Sequence, residues 1–137
     1  MKLVMIEAKE WMKFAENAHL ICFNEKRPDA MNRIDYALVV EENDTPLAYM
    51  TIKELDSETV YMQYGGAFPS AKNTIKSFQS YELMMNFLKE NYKLGLTLIE
   101  NTNIAMMKFA MKFGLRVTGL KLFNGIILLE HSIKFKE

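Results

Sequence analysis

The sequence predicts an α/β chain: one mixed sheet with helices on both faces, in a single unit spanning residues 1–137. Three observations predict it. Residues 35–68 hold three strand-like runs joined by connections too short to cross over, which makes them an antiparallel meander. A helix-periodic stretch at 70–92 then separates two further strand-like runs, the pattern of a parallel crossover from Tyr61 to Glu100. Near the C-terminus, Asn124-Gly125 between two apolar runs marks a closing hairpin.

In order, KLVMIEA at 2–8 mixes apolar and polar residues as a first strand would. KEWMKFAENAHLICF at 9–23 sets Trp11, Phe14, Ala15, Ala18 and Cys22 on one helical face. NEKRPDAMNRI is polar, with Pro28 before Asp29, and reads as a turn into a short second helix. DYALVVEE, PLAYMTIKEL and ETVYMQYGGAF are the meander strands, broken at Asn43-Asp44 with Thr45-Pro46 and at Asp56-Ser57. In the stretch 70–92, Ile75, Phe78, Tyr81, Met85, Leu88 and Tyr92 recur at three- or four-residue steps. KLGLTLIE is apolar enough for a strand buried on both faces. NTNIAMMKFAMKFG is a helix with an Asn or Thr N-cap and Gly114 as terminator; its narrow polar stripe, Lys108 and Lys112, predicts burial of most of its circumference. LRVTGLKLF and IILLEHSIKF form the hairpin, whose exposed edge offers pairing to a second copy in a homodimer.

Composition narrows the function. Seventeen basic residues balance seventeen acidic ones, so a broad cationic surface for nucleic acid is not expected. No apolar run approaches the roughly 18 residues of a membrane span, and MKLVMIEAKEWMK lacks the apolar core of a secretory signal. The single cysteine, Cys22, fits a reducing cytoplasm, and one Cys with two distant His (His19 and His131) does not suggest a metal site. Both histidines read as structural. The 11 methionines read as adaptable core filler.

The second half carries a resemblance. Ala67-Phe68-Pro69 stands where the GNAT acyl-CoA N-acyltransferase superfamily has Val-x-Pro at the end of a strand. The next eight residues, Ser70 to Ser77, match its Arg/Gln-x-x-Gly-x-Gly/Ala loop in spacing: Lys72 takes the basic position, Ile75 the first glycine and Ser77 the second small residue. Asn103-Ile104-Ala105-Met106 through Gly114-Leu115 resembles its later Asn-x-x-Ala to Gly-Phe motif, so the likeness runs from Leu47 to Leu129. It implies an acetyl-CoA-dependent N-acetyltransferase acting on a small-molecule or peptide amine, with acceptor choice made by the first helices and the closing hairpin. It also implies a strand bulge at Gly65-Gly66, with pantetheine pairing to backbone near Ala67 and Phe68.

The cofactor-binding candidates are Ala67, Phe68, Lys72, Asn73, Thr74, Ile75, Lys76, Ser77 and Asn103. A loop of this kind holds a pyrophosphate with backbone N–H groups at a helix N-terminus, and Ile75 removes a glycine's freedom there. The same residues also read as an ordinary solvated, capped helix start. Asn103 is equally an N-cap. The catalytic candidates are Glu100, Gln63 and Tyr61: a carboxylate to take the proton from an ammonium, and polar groups on the strand before the loop. Glu100 alternatively serves the cap and dipole of the following helix. Many family members carry a Tyr as acid four residues before the Gly of Gly-Phe; here that position is Ala110. A thiol leaves tolerably near neutral pH, since its pKa is about 8.5, so the loss is a handicap and not an exclusion. Glycine-poor loop and missing Tyr also resemble small GNAT-like internal core proteins of podovirus virions, which implies a non-catalytic structural alternative.

Overall fold

The computed structural model describes residues 1–25, 28, 31 and 33–136. The chain runs β1 (Lys2–Glu7), α1 (Ala8–Trp11), α2 (Ala15–Phe23), β2 (Tyr36–Glu42), β3 (Thr45–Glu54), β4 (Thr59–Ala67), α3 (Ile75–Asn91), β5 (Leu94–Glu100), α4 (Ile104–Lys112), β6 (Arg116–Phe123) and β7 (Ile126–Lys134). Seven strands form one mixed sheet in the order β1-β2-β3-β4-β5-β7-β6. Every neighbouring pair is antiparallel except β4–β5. β7 therefore inserts beside β5, and β6 is left as the outer edge.

Local chemistry explains most boundaries. The two-residue turns Asn43-Asp44 and Asn124-Gly125 take the left-handed backbone that short hairpins need. Thr74 caps α3, its Oγ1 accepting the Lys76 N–H at 3.2 Å. At the end of α4, Gly114 (φ 91°) reverses the chain, and the Leu115 and Gly114 N–H groups return to Ala110 O and Met111 O.

Side chains alternate along the strands, so the sheet carries two cores. Leu38, Val40, Met50, Ile52, Val60 and Met62 meet Tyr81, Met84 and Leu88 of α3 on one face. Ala37, Val39 and Tyr49 meet Trp11, Ala15, Ala18 and Cys22 on the other.

Four expectations need correction. The stretch 9–23 is not one helix: Lys13 and Phe14 donate to carbonyls only three residues back, which tightens the turn and resets its phase. Trp11 and Ala15 go inward, while Phe14 is 55% exposed. On α3, Ile75 lies ahead of the sheet and is 69% exposed; Met84 joins the buried face instead. α4 is an outer helix and not an enclosed one. Its Phe109 and Phe113 stack on α3 through Tyr81 and Phe78, only Ala110 is buried, and Ile104 and Met111 face out. β5 is likewise only half-buried along most of its length. The expected short helix after Asn24 falls largely outside the described residues.

Candidate functional site

The site begins where the parallel pair fails. β4 and β5 run together only over Thr59–Tyr61 and Leu94–Leu96, and then separate. The cause is a bulge in β4. Tyr64 pairs with Thr51 and Met62 with Ile52, so Gln63 is the extra residue of the bulge. Thr51, buried and wholly inaccessible, holds the bulge: its Oγ1 accepts the Tyr64 N–H at 3.1 Å and donates to Gln63 Oε1 at 3.1 Å. At the fork, Thr97 Oγ1 donates to Met62 O at 2.8 Å. Beyond it β5 follows β7, and β4 from Gln63 to Ala67 keeps β3 on one side and, among the described residues, no strand on the other.

The glycines serve a different purpose from the one expected. Gly65 and Gly66 pair in register with Met50 and Tyr49; the bulge lies two residues earlier, at Gln63. A Cβ on Gly65 would stand 2.6 Å from the Tyr81 hydroxyl, and one on Gly66 would stand 2.8 Å from the Phe23 ring. The pair lets one aromatic from each helical layer close against the strand beside the fork.

The fork encloses a cavity of about 230 Å³. Tyr81, Met85 and Phe109 form its floor on the α3–α4 side, Gln63, Tyr64 and Gly65 its β4 wall, and Glu100 and Asn103 stand at the end of β5. The phenols here stay protonated at neutral pH. Burial pushes Tyr81 far above the usual range, and its hydroxyl donates to Tyr49 O at 3.2 Å. Tyr64 is raised by burial, with Arg33 opposing. Ala110 lines the cavity where the family resemblance expects a Tyr, so Tyr64 and Tyr81 are the phenols present.

The catalytic candidates divide. Gln63 and Glu100 both line the cavity; Glu100 is exposed at the mouth. Tyr61 does not join them: it lies in a second depression on the opposite face, which adjoins the cavity at Leu98. Asn103 caps α4, its Oδ1 accepting the Met106 N–H at 3.2 Å, while its own N–H returns to the Glu100 carbonyl at 2.9 Å. Glu130, which the sequence reading passed over, lines that second depression too. Only the pairing of Leu98 with Glu130 across β5 and β7 brings it there.

The loop candidates are more self-contained than the resemblance implies. Ala67 ends β4, and Phe68 is buried against Tyr49. The Phe68 carbonyl accepts the N–H groups of Ala71 and Lys72, while Thr74 N–H reaches Ala71 O, and Ser77 N–H reaches Thr74 O. Asn73 (φ 62°) makes the left-handed step, so Ile75 begins the helix without needing a glycine's backbone. Ile75 is not among the residues lining the cavity. Lys76 Nζ pairs with Glu42 Oε1 at 2.7 Å, and Lys72 is exposed. Among the described residues, the N–H groups of Asn73 and Ile75 have no acceptor.

Among the described residues no three His, Cys, Asp or Glu side chains come together to hold a metal ion, and no helix is long and apolar enough to cross a membrane. His19 is buried, its Nδ1 3.1 Å from the Tyr49 hydroxyl, and burial lowers its pKa. His131 is buried as well.

No family model matches the chain, and no curated protein matches it in sequence. Solved structures do. The ribosomal-protein-S18-alanine N-acetyltransferase of Escherichia coli superposes with a TM-score of 0.79 over 99% of this chain and 94% of its own, at 8% identity. A GNAT family acetyltransferase from Elizabethkingia anophelis, with acetyl-CoA bound, gives 0.72 over 97% of each chain at 12% identity. An N-acetyltransferase from Staphylococcus aureus Mu50 gives 0.70 over 98% and 97% at 15% identity. The chain has the GNAT acetyltransferase fold.

Proposed function

We propose that the chain is an N-acetyltransferase that takes acetyl-CoA into the β4–β5 fork and transfers its acetyl group to an amine. The observation that carries this reading is the fork itself: three parallel pairs, a bulge pinned by Thr51, and a cavity beside the β4 edge that β5 leaves. The residues present fit the group. The β4 edge from Gly65 to Ala67 would pair with pantetheine amides as a missing strand would. The N–H groups of Asn73 and Ile75, at the N-terminus of a 17-residue helix, would face the pyrophosphate, with Lys72 adding charge.

Acetyl-CoA supplies an activated thioester, and the chain's residues do the rest. An alkyl ammonium, with a pKa of about 10, must lose a proton before it attacks. Glu100, exposed at the mouth and making no side-chain hydrogen bond among the described residues, takes that proton directly or through water. Tyr64 is the phenol left to meet the departing thiolate, because the Tyr81 hydroxyl is committed to Tyr49 O. Asn103 serves the α4 cap, which holds Glu100 at the strand end. The buried, unpaired Cys22 supports a reducing compartment, and the exposed apolar β6 edge supports self-pairing of two copies, which sedimentation would read as a dimer.

One observation favours a second reading, a GNAT-fold protein without turnover. The loop N–H groups of Ala71, Lys72, Thr74, Lys76 and Ser77 are already satisfied within the chain, and Lys76 is held by Glu42. Thermal unfolding with acetyl-CoA, against desulfo-CoA and ATP, separates the two. Ligand at 100 times its Kd adds about 2.7 kcal/mol. For a chain of this length, with an unfolding entropy of about 0.29 kcal/mol/K, Tm rises by about 9 °C. A rise with both coenzyme A compounds and none with ATP supports the enzyme; no rise at millimolar acetyl-CoA selects the second reading.

A further inference from the structure

The second depression, of about 360 Å³, opens on the sheet face opposite α3 and α4, where β4, β5, β7 and β6 lie side by side. α1 and α2 pack over β2, β3 and the end of β4, which leaves this part of the sheet uncovered among the described residues. Its lining is more apolar than polar, with Leu96 and Leu98 contributed by β5. Leu98 also lines the fork, so the two depressions adjoin at that residue.

One acid interrupts the apolar surface. Glu130 is half-buried, and its Oε1 accepts the Thr118 hydroxyl at 2.8 Å. Its second oxygen has no partner among the described residues. Gly119 faces Glu130 across the β6–β7 ladder without a side chain, and a Cβ there would meet the Glu130 side chain at 3.6–3.7 Å, so glycine keeps that contact off the carboxylate. Tyr61 lines the same space, and burial raises its pKa further above neutral. Lys121, two residues beyond Gly119 on the same side of β6, is exposed at the rim and forms no ion pair with Glu130. A carboxylate half withdrawn from water beside leucines suits one ammonium on an apolar body, and the rim cation opposes a second positive charge.

We propose that this depression captures the acceptor before it passes to Glu100 in the fork, and that it selects a primary monoamine carried on an apolar body. The ammonium sits on Glu130, the body lies on Leu96 and Leu98, and Lys121 turns polyamines away. This rests on the acetyl-transfer reading for its purpose, and its test does not need acetyl-CoA.

The probe is 2-phenylethylamine, titrated into the full chain by calorimetry, with 2-phenylethanol and spermidine as comparators. The amine binds saturably and at least tenfold more tightly than either comparator. Glu130→Gln, which keeps an acceptor for Thr118, removes the preference for amine over alcohol. Lys121→Glu, at an exposed rim position, raises spermidine affinity at least tenfold and tests the site independently should the Glu130 variant not fold. The proposal is overturned by no amine binding, by equal binding of amine and alcohol, by an unchanged preference in Glu130→Gln, or by spermidine binding more tightly than the amine to the unaltered chain. A Tm rise with acetyl-CoA alongside any of those outcomes keeps the acetyl-transfer reading and discards this site; a Glu130-dependent amine preference without any acetyl-CoA response does the reverse.

Discussion

Gly65→Ala puts the geometry of the fork to a quantitative test. Gly65 sits in β4 without a positive φ, so alanine brings no backbone strain and the whole effect is one of contact. The new Cβ would stand 2.6 Å from the Tyr81 hydroxyl and 3.2 Å from Tyr49 O, which accepts that hydroxyl's hydrogen bond at 3.2 Å. An ordinary contact of 3.4 Å requires the hydroxyl to retreat by about 0.8 Å. Tyr81 has little room for that: its ring is buried and meets Phe109 edge-on at 5.2 Å. Overpacking costs about 1–3 kcal/mol and the lost hydrogen bond about 1 kcal/mol more, roughly 2–4 kcal/mol together. At about 0.29 kcal/mol/K, Tm falls by about 7–14 °C. Tyr81→Phe removes the offending oxygen, so the double variant Gly65→Ala/Tyr81→Phe regains part of the loss, although Tyr81→Phe alone destabilises by about 1 kcal/mol. Urea unfolding of the four proteins gives the coupling. Additive losses in the cycle, or a Gly65→Ala protein as stable as the parent, would refute the contact as the reason for glycine.

Other substitutions probe the surroundings. Thr51→Val keeps shape and removes the hydroxyl that accepts the Tyr64 N–H, so it destabilises by about 1–3 kcal/mol and shrinks the acetyl-CoA-dependent rise in Tm; unchanged values would mean that the bulge does not depend on Thr51. Burial lowers the pKa of His19, Glu25 only partly opposing, so the unfolded chain takes up its proton first as pH falls. The stability that neutral His19 contributes is present above about pH 6.5 and lost below it; Tm of His19→Gln therefore declines less between pH 7 and 5, and an equal decline would contradict this. Burial pushes the Cys22 thiol up to about 11, so a thiol reagent at pH 8 labels the folded chain only as fast as it opens, and immediate labelling would show the layer over Cys22 to be loose.

Much of the fold was legible because its signals are local. Strand alternation, the Asn124-Gly125 turn, a capped helix start after the loop, the Asn103 cap and the Gly114 stop each depend on a few consecutive residues, and the structure has all of them. What could not be read depends on distant partners. The bulge at Gln63 is held by a hydroxyl on β3, and the glycines answer to Tyr81 and Phe23, neither adjacent in sequence. The apolar residues of α4 announce a helix but not how much of it the sheet would cover, and the 9–23 stretch hid a phase reset set by two backbone bonds. The candidate site was half legible for the same reason. Gln63 and Glu100 do line one cavity, while Tyr61 and Glu130 come together elsewhere because β7 and not β6 lies against β5.

Acetyl-transfer chemistry in the β4–β5 fork is tested most directly by following backbone amide resonances during an acetyl-CoA titration. Binding in the fork moves the amides of Gln63 to Ala67 along the strand edge and of Asn73 and Ile75 at the start of α3, with saturation at a common Kd. Shifts confined to other surfaces, or none at millimolar acetyl-CoA, would contradict the account.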